Sequence, residues 1–114
     1  MEALRFGTFV WPNNPEKLTV EFRRSVEVKP TSAGLWTVTN AARFGRVFSG
    51  EGVFCGDDAY EQFRALCAYF YSGKTAELVH PQWDRAKAYL TELTVKEQSG
   101  EKYLRYRFSF QEAP

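Results

Sequence analysis

One stretch limits the architectures open to this chain: GEGVFCGDDAYEQFRALCAYFYSGKTAELVHPQW, Gly50 to Trp83. It contains the one segment patterned as a helix; the rest is patterned as strands. Asp57 and Asp58 suit the N-cap, and Asp58 with Glu61 has the D-x-x-E form of a capping box. Ala59, Phe63, Leu66, Cys67 and Phe70 recur at spacings of three and four, which puts them on one helical face. Ser72-Gly73 ends the helix, with Gly73 free to turn left-handed. Tyr69 and Tyr71 flank the stripe. A single helix with a single apolar stripe has to be covered by a sheet.

The strands follow from period-two alternation. In KLTVEFRRSVEVK, Leu18, Val20, Phe22, Val26 and Val28 take the even positions and polar residues the odd ones. Arg24 breaks the pattern, as expected at a bulge or where a strand leaves its sheet. Leu35 to Asn40 predicts a further strand, and Ala41 to Phe48 continues extended. Gly50 and Gly52 are read as the change of direction into the helix, with Gly56 just before it. Ala76 to Val79 is a short strand ending at His80-Pro81. Residues 89–95 and 104–110 form a hairpin about Gly100. Strands, one helix and a strand pair make an α+β chain with antiparallel pairing, as one domain over residues 1–114.

Several functions are disfavoured. The net charge of +1 gives no global field toward nucleic acid or an acidic membrane. No apolar run is long enough to span a bilayer, and the N-terminus does not read as a signal peptide, so synthesis in a cytoplasm is expected. Cys55 and Cys67 have no metal-ligand spacing; a disulfide between them is possible but not implied, and two buried thiols are the favoured reading. His80 is the single histidine and has no partner for acid–base or triad chemistry, so it is expected to be structural. The glycines at 50, 52 and 56 match neither common phosphate-loop pattern. No enzyme, cofactor or metal is expected. Arginines on the strands beside Tyr103 and Tyr106 leave one alternative, a small barrel binding single-stranded nucleic acid. Cross-strand ion pairing on a solvated face is the simpler reading of those arginines.

An ordered set of residues carries a family resemblance. Arg46-x-Phe48, Gly50-x-Gly52, Gly56-Asp57-Asp58-Ala59-Tyr60, Phe63-Arg64-x-Leu66, Gly73 and Leu78-Val79-His80-Pro81 resemble the N-terminal domain of the Mu-like DNA circularisation proteins. Tyr106-x-Phe108-x-Phe110-x-Glu112 is a weaker echo. The large C-terminal part of the longer relatives is absent, and Gln82-Trp83-Asp84 stands where they commonly have glycine. The resemblance implies a β-barrel or sandwich with one flanking helix. It also implies a structural role in a phage tail, baseplate or related contractile injection particle. Other tail or baseplate proteins, and copies of itself, are the implied partners. The implied location is the host cytoplasm during assembly and then the particle.

The chain is 17% aromatic, more than one helix-covered sheet face needs. Exposed aromatic and arginine patches usually mark interfaces. The expected interface residues are Phe6, Phe9 and Trp11 in the N-terminal arm and Tyr103, Arg105 and Arg107 on the outer hairpin face.

Overall fold

A computed structural model describes residues 3–25, 28–30, 36–38 and 43–113. Its order is β1 (Arg5–Phe6), β2 (Phe9–Val10), β3 (Lys17–Ser25), β4 (Val28–Pro30), β5 (Trp36–Val38), β6 (Arg43–Cys55), α1 (Ala59–Ser72), β7 (Ala76–Val79), β8 (Ala86–Ser99) and β9 (Tyr103–Glu112). Seven strands form one antiparallel sheet in the order β2-β1-β7-β8-β9-β6-β3, and β4 pairs with β5 apart from it. Arg24 and Ser25 stay in register with Phe44 and Arg43, so no bulge falls at Arg24; beyond the undescribed residues 26–27, β4 belongs to the separate pair.

The sheet curls into a barrel-like α+β fold. β1 and β9 stand three places apart, roughly 14 Å in a flat sheet. Yet the Phe6 and Phe110 rings are 4.5 Å apart. Trp11, just beyond β2, donates its indole N–H to the Tyr106 phenol oxygen at 2.8 Å. Both contacts need the β1–β2 end of the sheet to roll over the inner face of β9. Burial pushes the Tyr106 phenol well above its ordinary pKa, against the bond from Trp11, so it stays neutral.

Gly50 and Gly52 are not a turn. They lie inside β6, opposite Phe108 and Tyr106 of β9, on the face that also carries buried Phe48 and Phe54. A Cβ on Gly50 would sit 2.6 Å from the Phe108 ring and 2.7 Å from the Lys17 carbonyl oxygen. One on Gly52 would meet the Tyr106 hydroxyl at 2.8 Å. The two glycines therefore form a slot in which β9 aromatics lie across β6. The change of direction falls at Gly56, whose φ is +109°.

The helix lies where the periodicity put it, over β6, β8 and β9, with Ala59, Phe63 and Leu66 buried. Two details differ. Asp58 is the N-cap residue, but its side chain makes no capping bond. It accepts instead from Gln62 Nε2 at 2.7 Å, because the helix start is exposed and water can serve the free N–H groups. Phe70 is 39% exposed rather than buried. Its place is taken by Tyr69, whose ring packs edge-on to Phe6 at 5.0 Å. The Tyr69 hydroxyl also accepts the Thr8 N–H at 2.8 Å. Gly73 ends the helix at φ +65°, as expected.

The β8–β9 hairpin turns at Gly100, φ +64°. A register shift between Leu90 and Glu92 moves the inward positions of β8 from even to odd, so Ala86, Ala88 and Leu90 are followed inward by Leu93.

Candidate functional site

The N-terminal arm is core. Phe6 and Trp11 are 0% and 1% exposed, and Phe9 packs edge-on to Trp11 at 4.7 Å. The expectation that this arm is an exposed interface is corrected for Phe6 and Trp11, because the curl of the sheet draws both rings over β9. Phe9 is partly buried against the same cluster.

The outer face of β9 is where the alternation placed it. Tyr103 and Arg105 are half-buried and Arg107 is exposed. Arg105 reaches Glu16 at 3.2 Å and Arg107 reaches Glu92 at 2.8 Å. Hydrogen bonds with Tyr103 and then Glu16 hold Arg105 protonated. Arg5 and Arg85 share Glu77, and Arg23 meets Glu21 at 2.9 Å. Carboxylates thus answer Arg5, Arg23, Arg105 and Arg107, which reduces the charge available to a phosphate backbone.

Arg46 does more than pair. It holds Glu112 through both Nε and Nη2 and donates to the carbonyl oxygens of Asp84 and Arg85. Those hydrogen bonds keep the Glu112 carboxyl below its usual range. The arrangement ties β6, the end of β9 and the 84–85 segment together. It thereby positions the turn that begins at His80-Pro81.

His80 is 6% exposed and packs near Phe48. Its Nδ1 accepts the Gln82 N–H at 3.1 Å, so the neutral ring carries its proton on Nε2, which is buried without a partner among the described residues. Burial and then the nearby Arg46 push its pKa down. This is a turn-capping, neutral histidine. Among the described residues no group of three or more His, Cys, Asp or Glu could hold a metal ion. Cys55 and Cys67 are free thiols; Cys55, at the end of β6, is exposed rather than buried, and Cys67 is partly buried, which raises its pKa. No helix among the described residues is long and apolar enough to cross a membrane.

Two surface features were not legible beforehand. A cleft of about 450 Å³ lies between the inward face of β3 and the 80–83 turn, lined by Pro15, Leu18, Val20, His80 and Trp83 among others. At its rim Phe22 and Trp83, 66% and 47% exposed, stack edge-on at 5.9 Å. The second feature is β3 itself, which pairs with β6 on one side and with no described strand on the other. Exposed Phe22 in an alternating strand was the available signal.

With this geometry in hand, comparison with solved structures is informative. The chain is similar to one in the virion of a native gene transfer agent particle, with a TM-score of 0.62 and 13% identity, over 98% of this chain and 90% of that one. It is also similar to one in the tail of an empty gene transfer agent particle, solved with C6 symmetry. There the TM-score is 0.55 and the identity 16%, over 99% of this chain and 79% of that one. No family model and no curated protein matches the chain. At these identities the likeness establishes the fold, an antiparallel barrel-like sheet with one helix, shared with chains of a phage-like particle.

Proposed function

We propose that this protein is a structural, non-enzymatic component of a phage-type tail or baseplate, acting through contacts with other tail proteins and with copies of itself. The observation that carries this reading is the whole-chain fold likeness to a virion chain and a tail chain, over 98% and 99% of this chain. A fold hosts many functions, so the surface matters as well. It combines paired arginines and an open strand edge with exposed aromatics, which suits protein contacts better than chemistry. The narrower kinship with Mu-like circularisation proteins, and a place in a contractile injection system, rest on the ordered motif from Arg46 to Pro81. On this reading the protein folds in the host cytoplasm and is then built into the particle.

The test is genetic and visual. Removing the gene from cells that produce the particle should leave tails absent, shortened or detached in electron micrographs, and the gene supplied in trans should restore them. Normal tails without the protein overturn the proposal. Binding of single-stranded nucleic acid that weakens steeply with salt would favour the barrel alternative instead.

A further inference from the structure

We infer that two copies of this chain pair edge to edge through β3, around a two-fold axis that places Phe22 opposite Phe22 of the second copy. The inference is independent of the tail reading and concerns the free protein.

The sheet has two edges of very different character. β2 has two residues, a length that templates little. β3 has nine, with no proline inside, and no described strand covers its outer side. A strand of that length offers a row of backbone donors and acceptors to another strand. Phe22, near its middle, is 66% exposed, and its one described ring contact is the half-exposed Trp83. Pairing two copies would bring both Phe22 rings and both Trp83 rings to one patch.

Charge and strand overlap together select the second copy as the occupant and fix the register. A two-fold axis perpendicular to the sheet keeps the apolar faces together, so even residues oppose even and odd oppose odd. Centring on Glu21, Arg23 or Arg24 sets that residue against its own like charge. Centring on Val20 sets Lys17 against Arg23. Centring on Leu18 or Thr19 opposes no like charges, and the latter sets Lys17 against Glu21, but they overlap β3 only over residues 17–19 and 17–21, whereas centring on Phe22 overlaps it over residues 19–25. Centring on Phe22 sets Glu21 against Arg23 twice and opposes no like charges. Glu21 and Arg23 already meet at 2.9 Å within one chain, both largely exposed. The pair would therefore join two such ion pairs into a four-charge cluster. Opposite charges directly across antiparallel strands stabilise and like charges destabilise, which gives this register its specificity.

The experiment is sedimentation equilibrium on the full chain and on charge-swapped variants. Wild type should dimerise. Glu21→Arg and Arg23→Glu should each weaken the dimer by about ten- to thirtyfold, because each turns two attractive pairs into repulsive ones. The double swap should bring the constant back to near wild type. Both positions are exposed, so urea melts should show all variants folded. A second arm uses geometry: with Cys55→Ser, Phe22→Cys should cross-link two copies under mild oxidation, since facing Cα atoms fall within disulfide range. Thr19→Cys, which would face Ser25, should not. A wild type that stays monomeric at every reachable concentration overturns the inference. So do single swaps that leave the constant unchanged, or cross-linking of Thr19→Cys as fast as Phe22→Cys.

Discussion

Replacing Gly50 with alanine tests how the barrel is packed. The added methyl would lie 2.6 Å from Phe108 Cζ and 2.7 Å from the Lys17 carbonyl oxygen. Both are far inside contact distance, and the second is backbone of the neighbouring strand, which cannot rotate away. Overpacking of this kind costs about 1–3 kcal/mol. Losing the extra freedom of glycine in the unfolded chain offsets about 0.4–1 kcal/mol. The net expectation is a loss of about 1–2 kcal/mol, seen in urea melts at unchanged slope and as a fall of roughly 5–10 °C in Tm. Half of the clash can be relieved: with Phe108→Leu already in place, Gly50→Ala should cost less. The double-mutant cycle should then show a coupling of about 1 kcal/mol. The rescue stays partial, because the Lys17 carbonyl remains. Gly73→Ala is the control, since nothing lies within 4 Å of a Cβ there and the cost is that of the left-handed φ alone. A Gly50→Ala protein as stable as wild type, or a cycle that is strictly additive, would refute the slot.

Other outcomes follow from the same geometry. Phe63→Ala, which removes a buried ring of α1, should cost about 3–5 kcal/mol in denaturant melts. Trp11→Phe leaves the buried Tyr106 phenol without its indole donor and should cost about 1–3 kcal/mol. Deleting residues through Trp11 should abolish cooperative unfolding rather than only weaken association. The His80 pKa is lowered from 6.5, so the folded state binds fewer protons than the unfolded chain as pH falls below that value. Stability should therefore drop on going from pH 7 toward pH 5, and His80→Gln should flatten that part of the profile. Glu112, lowered from 4.5 by Arg46, acts further down: the stability it lends is present above that value and lost as pH falls through its folded pKa. Glu112→Gln should remove that acid-side step.

The helix and the long strands could be read from the chain because periodicity is local. The stripe at 59, 63 and 66 and the even face of residues 104–110 needed no knowledge of what packs on them. The failures are places where a distant element decided the matter. Phe70 and Tyr69 compete for the end of the helix face, and Tyr69 prevails because β1 supplies Phe6 and the Thr8 amide. Gly50 and Gly52 look like a turn until their register opposite Phe108 and Tyr106 is known. They do, however, share parity with Phe48 and Phe54, a clue that was present in the sequence. The arm at Phe6 and Trp11 reads as an exposed patch until the sheet is seen to curl. The outer β9 residues were found by alternation, but the edge of β3 depends on strand order, which alternation does not encode. Arg46 and Glu112, both within the resemblance motif, turn out to be bonded to each other.

The central claim, that this is a building block of a tail-like particle, is tested most directly by mass spectrometry of gradient-purified particles from cells that carry the gene. The account predicts that the protein is present in intact particles, in a fixed ratio to the other tail proteins, and resists removal by high-salt washing. Its absence from intact, tailed particles while it accumulates free in the lysate would contradict the account.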